Sequence, residues 1–129
     1  MRKGFSLMNI ALWIAASALA LFMLAAGFMK VSRPIQEIRK MPWAAKMPAN
    51  YIRLIGSAEI LGALGLVLPL ATGMAVILTP VAALCLAVLM AGATITHIRI
   101  KDPKSAALTT TVLMALALFV AFGRFSGLN

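Results

Sequence analysis

The sequence predicts an all-α fold: a polytopic membrane protein built as an antiparallel four-helix transmembrane bundle. Of its 129 residues, 63% are hydrophobic, well above the roughly 45–50% apolar content of soluble domains. The apolar residues gather in four stretches of about 20 residues, the length that crosses a bilayer as a helix. Basic residues lie almost entirely between these stretches or at their ends.

The four predicted spans cover residues 9–28, 51–70, 73–96 and 106–122 of a single transmembrane domain, residues 1–129. Helices are expected because lipid cannot satisfy backbone groups, and four strands cannot close a barrel. The first stretch begins after Arg2 and Lys3 as a signal peptide would, but it is longer than a signal core, so we expect a retained helix. Pro80 is expected to kink the third span.

The basic residues predict the orientation. Loops 29–50 and 97–105, with the adjoining span start, carry nine of the twelve Lys and Arg residues. These nine are Lys30, Arg33, Arg39, Lys40, Lys46, Arg53, Arg99, Lys101 and Lys104. The positive-inside rule therefore places both loops in the cytoplasm and both termini outside. Loop 29–50 mixes apolar and basic residues with three prolines, which is typical of short segments lying among lipid headgroups.

Glu59 is the only acidic residue in any predicted span. A charged residue there costs about 2.5–3.5 kcal/mol on insertion scales and by default marks a functional site. At helical spacing it shares a face with Gly56, Gly62 and Ala63, small residues typical of helix interfaces, so its side chain should point into the bundle. Without a fixed cation, a buried glutamic acid is expected to be neutral and to donate a hydrogen bond. A structural contact between helices is the alternative.

Other polar residues fall on the same, cytoplasmic half of the predicted bundle. Lys30 ends the first span and has a stem long enough either to fold toward Glu59 or to reach outward to the interface. His97 ends the third span and is either a proton carrier or an interfacial residue. Many Thr side chains in such helices simply bond their own backbone. The candidate ligand-binding residues are Gly56, Gly62 and Thr94.

Several functions are excluded or disfavoured. The net charge of +9 is spread over span ends, and no coherent basic face predicts nucleic-acid binding. Cys85 is the only cysteine, so no disulfide can form within the chain, and we expect it to be a small buried hydrophobe. The titratable residues do not make a metal ligand set, so no metal is predicted.

Three segments carry a family resemblance: residues 25–30 (Ala-Ala-Gly-Phe-Met-Lys), 56–69 (Gly-Ser-Ala-Glu-Ile-Leu-Gly-Ala-Leu-Gly-Leu-Val-Leu-Pro), and 90–97 (Met-Ala-Gly-Ala-Thr-Ile-Thr-His) with Lys101 and Asp102. Over nearly the whole chain the sequence resembles the DoxX-like family of small four-helix bacterial membrane proteins. The resemblance implies a multi-pass protein of the bacterial cytoplasmic (inner) membrane, with Lys30, Glu59 and His97 at its polar centre. Relatives of the wider group are associated with membrane oxidoreductase assemblies, including small subunits of thiosulfate:quinone oxidoreductases.

Three functions are therefore expected, in this order. The first is an accessory or quinone-proximal subunit of a membrane oxidoreductase system, with Glu59 as proton or hydrogen-bond donor and Lys30 and His97 as further candidate catalytic residues. It would use a quinone, no covalent cofactor, and a redox partner subunit or a second copy. The second is a proton-coupled transporter of small amphipathic molecules. The third is a structural or assembly protein without turnover.

Overall fold

A computed structural model describes residues 7–101 and 103–126, so Arg2, Lys3 and Asp102 lie outside the described residues. The described helices are α1 (Leu7–Ser32), α2 (Ile35–Ile38), α3 (Ala49–Thr72), α4 (Leu78–Arg99) and α5 (Lys104–Ser126), with a 3₁₀ turn at Pro42–Ala44. Helices α1, α3, α4 and α5 are each long and apolar enough to cross a membrane. The predicted all-α, four-helix membrane fold is confirmed.

The four long helices pack as a ring in the order α1, α3, α4, α5, with α5 returning to α1. Leu19, Met23, Leu66, Leu86 and Val120 fill the centre and are almost completely buried. Large apolar side chains also cover the outside of the bundle. Because lipid tails are as apolar as these side chains, an outward apolar surface indicates a bilayer environment.

Glycines set the closest approach between α1 and α3. A Cβ atom on Gly27 would lie 2.6 Å from the carbonyl oxygen of Gly56, and one on Gly56 would lie 2.7 Å from Cβ of Lys30. Real Cβ atoms do not come so near, so only glycine permits this crossing. Gly62 plays the same part against α4, where a Cβ would lie 2.7 Å from Cδ2 of Leu86.

The connection between α3 and α4 differs from the sequence prediction. Helix α3 continues through Pro69 to Thr72 and ends at Gly73, whose φ of 76° is a left-handed conformation that suits glycine. Helix α4 then begins at Leu78, which puts Pro80 in its first turn. Backbone N–H groups of the first turn have no partner within a helix, so Pro80 removes no hydrogen bond. The predicted kink at Pro80 is wrong.

The loop between α1 and α3 folds back against the bundle. Ile38, Ala44 and Ile52 are fully buried in a small cluster of their own, against which Trp43 and Met47 pack. Prolines precede α2, open the 3₁₀ turn and precede α3, so the segment breaks into short pieces as predicted. The loop therefore covers one end of α1 and α3.

Cys85 does not pack into the core. Its side chain is exposed on the outer surface of α4, so the prediction of a buried position is wrong. Helix α4 is apolar on nearly every side, and such a helix carries no amphipathic signal from which the inward face could be read.

Candidate functional site

Glu59 points into the bundle, as predicted, and its side chain is 2% exposed. Lys30 Nζ donates hydrogen bonds to both carboxylate oxygens, at 2.8 Å to Oε1 and 2.9 Å to Oε2. Of the two directions open to Lys30, the structure shows the inward one, with 13% of the side chain exposed. Charge-assisted hydrogen bonds of this kind are about twice as strong as neutral ones. A neutral Glu59 was expected only if no fixed cation lay beside it. The structure places Lys30 there as such a cation.

The close contact between Gly27 of α1 and Gly56 of α3 explains why the Lys30 and Glu59 side chains meet. Lys30 follows Gly27 by three residues, and Glu59 follows Gly56 by three, so each charged residue lies one turn beyond its glycine. Because α1 and α3 run antiparallel, each charged residue packs against the glycine of the other helix: a Cβ on Gly56 would lie 2.7 Å from Cβ of Lys30, and one on Gly27 would lie 3.2 Å from Cβ of Glu59. The two glycines therefore leave the room in which the Lys30 and Glu59 side chains reach each other.

Trp43 completes the surroundings of Lys30. The Nζ atom lies 5.2 Å from the centre of the Trp43 ring, within the range of a cation–π interaction. Trp43 is held there by the buried cluster of Ile38, Ala44 and Ile52. From the sequence, Trp43 was expected only to lie in an interfacial loop. Its contact with Lys30 could not be predicted, because no spacing rule connects a loop residue to a lysine thirteen positions earlier.

Arg53 fastens the end of α1 to α3. Its Nη1 donates to the backbone oxygens of Lys30, at 2.8 Å, and Arg33, at 2.9 Å. The last carbonyls of a helix have no partner within it and carry the negative end of the helix dipole. Arg53, one of the nine basic residues that predict the orientation, thus also caps the helix that presents Lys30.

A cavity of about 660 Å³ lies beside the ion pair, within the size range of small-molecule sites. It occupies the half of the bundle next to the loop between α1 and α3, and all four long helices and Trp43 contribute to it. Most of its wall is apolar. The polar side chains that line it are Lys30, Glu59, Thr96, His97, Thr109 and Thr110.

The structure brings Lys30, Glu59 and His97 to one cavity. The three candidate ligand-binding residues take other places. Thr94 shares a hydrogen bond of 2.6 Å with the hydroxyl of Thr110, which links α4 to α5, and either hydroxyl can donate. Gly56 packs against α1 and Gly62 against α4, and neither is among the lining residues.

All three lining threonines form hydrogen bonds with their own helices, and for Thr110 the acceptor is the carbonyl of Ala107, at 3.0 Å. Thr96 Oγ1 donates to the carbonyl of Gly92 at 2.9 Å, and Thr109 Oγ1 donates to that of Ser105 at 2.8 Å. This is the ordinary behaviour of threonine in a membrane helix. Each hydroxyl oxygen still has lone pairs with which to accept a hydrogen bond from a ligand.

The far end of the bundle has a smaller polar contact between α5 and α1. Arg124 Nη1 donates to Asn9 Oδ1 at 2.8 Å, and the guanidinium carbon lies 5.5 Å from the centre of the Trp13 ring. One turn inward on α1, Leu12 packs directly on Gly123. Helices α1 and α5 are therefore joined at the end opposite the cavity.

Metal binding finds no support in the part of the chain that the structure describes. Across residues 7–101 and 103–126, no three side chains of His, Cys, Asp or Glu gather in a group that could hold an ion.

Four membrane-length helices around an inner cavity, with one ion pair in its wall, define a small multi-pass membrane protein. The chain belongs to the DoxX-like family, whose family model matches residues 14–120. The matched range includes Lys30, Glu59 and His97, and the resemblance inferred from the short motifs is confirmed. No curated protein and no solved structure matches the sequence.

Proposed function

We propose that the protein binds the head group of a membrane quinone in this cavity and serves as an accessory subunit of a membrane oxidoreductase system. The observation that carries the proposal is the Lys30 ammonium, held by Glu59 in the wall of a largely apolar cavity of about 660 Å³. Pockets for lipid-soluble molecules combine such apolar walls with a few fixed polar groups that orient the ligand.

The chemistry of the pair suits a neutral carbonyl compound. An ammonium group has three N–H donors, and Glu59 accepts hydrogen bonds from Lys30 at both oxygens. A remaining donor can reach a quinone oxygen in the cavity. Since the pair carries no net charge, it favours a neutral ligand over an anion or a cation. His97 and the hydroxyl of Thr109 offer further polar contacts from α4 and α5.

Reduction of a quinone to a quinol consumes two electrons and two protons. The electrons would come from the redox centre of a partner subunit. In this proposal, the Lys30–Glu59 pair and His97 hold the ring in place and hand on protons taken up from the aqueous side. The predicted orientation, with the loop between α1 and α3 in the cytoplasm of a bacterial inner membrane, makes that side cytoplasmic.

The two tryptophans allow a direct test, because Trp43 lines the cavity and Trp13 lies at the far end. The signal is tryptophan fluorescence. A Trp13→Phe variant keeps only Trp43 and reports on the cavity, and the matched Trp43→Phe variant keeps only Trp13 and reports on the opposite end. In lipid nanodiscs, a short-chain ubiquinone analogue should quench Trp43 saturably and Trp13 only in proportion to its concentration in the lipid. Replacing Lys30 by Met in the first variant should abolish the saturable part. Equal, unsaturable quenching of both tryptophans would contradict the proposal.

A structural role is the second candidate, and one observation favours it. The Lys30–Glu59 pair bridges α1 and α3 next to their closest contact, so it could serve helix packing alone. In that case Trp43 would show no saturable quenching, while loss of the pair would still lower stability. Proton-coupled transport stays a prediction, for which proton-linked uptake into vesicles, lost in Glu59→Gln, is the test.

A further inference from the structure

The guanidinium of Arg124 has N–H groups that the described part of the chain leaves without an acceptor. Arg124 lies in the last turn of α5, at the end of the bundle opposite the cavity. Its Nη1 donates to Asn9 Oδ1, whereas Nε and Nη2 are buried and have no hydrogen-bond partner among the described residues. Because buried polar groups in native proteins are nearly always paired, two such donors on one cation require an explanation.

The two unpaired donors lie on the same edge of the guanidinium. The N–H bonds of Nε and Nη2 run side by side, and such an edge matches two oxygens of a phosphate or a carboxylate through parallel hydrogen bonds. The remaining contacts of Arg124 hold the plane in position: Asn9 at Nη1, and the Trp13 ring, whose centre lies 5.5 Å from the guanidinium carbon. The geometry is therefore that of an anion-binding fork supported from its other sides.

No acidic side chain is placed to neutralise Arg124. The sequence has three acidic residues, and none of them lies in residues 1–32 or 104–129. Glu59 is paired with Lys30 in the cavity half, and Glu37 lies beyond the other end of α1. Asp102 precedes α5, which separates it from Arg124 by a helix length of about 30 Å. The dipole of α5 favours a cation in its last turn, but no described carbonyl accepts from Nε or Nη2. The counter-charge therefore has to come from outside the chain.

We propose that Nε and Nη2 of Arg124 form a binding site for a phosphate group, supplied by the phosphodiester of an anionic phospholipid. Arg124 is two residues from the end of α5 at Ser126, where a spanning helix meets the lipid head groups. A head group without an ammonium of its own, such as that of phosphatidylglycerol, leaves its phosphate charge available to the arginine. The edge is closed to water, and the flexible stem of the half-buried side chain lets a small turn expose it.

Trp13 reports on this site directly, because it contacts the guanidinium and is the only tryptophan left in a Trp43→Phe variant. The probe is a series of phosphatidylcholine nanodiscs with a rising fraction of phosphatidylglycerol. Trp13 emission should change saturably, and Arg124→Gln in the same background should abolish the change. The matched control, Lys46→Gln, removes an exposed cation from the loop at the other end and should leave it intact. A change that is equal with and without Arg124, or no change at all, would overturn the proposal.

Inorganic phosphate separates the two sources of the same chemistry. In nanodiscs of phosphatidylcholine alone, millimolar inorganic phosphate should leave Trp13 emission unchanged, because the ligand is the lipid. If free phosphate produces the Arg124-dependent change, the phosphate site stands and the lipid as its source is wrong. The quinone site is read from Trp43 in the other variant, so the failure of either proposal leaves the other intact.

Arg124→Lys tests the fork itself, because an ammonium keeps the charge but cannot present two parallel donors on a rigid plane. The measurement is native mass spectrometry of the delipidated protein in detergent, titrated with phosphatidylglycerol. Arg124→Lys and Arg124→Gln should each weaken the first binding step about tenfold, as expected for the loss of one hydrogen bond to a charged group. The lysine variant also serves if Arg124→Gln does not fold. Equal binding by Arg124→Lys and the unmodified protein would show that the fork is wrong.

Discussion

The contact between Lys30 and Glu59 makes a quantitative prediction about stability. Replacing Lys30 by Met leaves a carboxylate that is 2% exposed without its cation. Removing one partner of a buried pair typically costs about 3–5 kcal/mol, because the remaining charge can be neither hydrated nor paired. We expect Lys30→Met to lower the free energy of unfolding by an amount in that range.

The opposite change is expected to cost less. In Glu59→Leu the ammonium loses its partner, but the side chain is already 13% exposed and has a flexible stem. It can turn toward the interface, so we expect a loss near the lower end of that range, about 3 kcal/mol. The double variant leaves no charge at positions 30 and 59 and should lie within about 1 kcal/mol of the unmodified protein, since apolar residues can replace a buried pair at little cost.

The assay is unfolding in mixed micelles with increasing dodecyl sulfate, followed by far-ultraviolet circular dichroism. The four proteins form a double-mutant cycle, and the expected losses imply a coupling free energy of at least about 5 kcal/mol between the two positions, larger than the roughly 0.5–3 kcal/mol that contacting residues usually show. The Lys40–Glu37 contact is the internal control. At 3.6 Å, with side chains 75% and 56% exposed, it should contribute no more than about 0.5 kcal/mol. If the Lys30 and Glu59 losses simply add, the two side chains do not face each other and the account of the site is wrong.

Further stability predictions follow from single contacts, each measured by thermal unfolding in detergent. Gly27→Ala should lose about 1–3 kcal/mol, because the new Cβ would lie 2.6 Å from the carbonyl oxygen of Gly56; the matched Gly92→Ala should gain up to about 1 kcal/mol from helix propensity. Equal effects of the two would contradict the proposed crossing. Thr79→Val should be neutral or stabilising by about 1 kcal/mol, since the buried Thr79 hydroxyl finds no partner among the described residues; a clear loss would point to an undetected hydrogen bond. Arg53→Gln should lose about 1 kcal/mol through its bonds to the end of α1, and an unchanged melting temperature would count against that cap.

The sequence predicted the helices well because the thickness of the bilayer sets how many apolar residues a spanning helix needs. It also predicted that Glu59 faces inward, since glycines and an alanine share its side of α3. It could not choose between the two directions of Lys30. That choice depends on the distance between α1 and α3, which is set by where Gly27 meets Gly56 in three dimensions.

The remaining features needed the structure for identifiable reasons. Trp43 reaches the site through the packing of a loop, and local pattern does not determine how a loop folds back. Pro80 was misinterpreted because the predicted span began at residue 73, whereas α4 begins at Leu78. A role of Thr94 in ligand binding stays a prediction, and the structure adds its hydrogen bond with Thr110 of α5, which the sequence did not predict. In a helix that is apolar all round, the inward direction is decided by its neighbours.

Native mass spectrometry of the protein, released gently from the membrane in which it was made, tests the central claim most directly. The account predicts a bound compound with the mass of a membrane quinone on the unmodified protein and on Leu84→Phe, a control at an exposed position of α4 that does not line the cavity. The compound should be lost when Lys30→Met and Glu59→Leu are combined, although that double variant remains folded. Spectra that show only phospholipid, or the same quinone on the double variant, would contradict it.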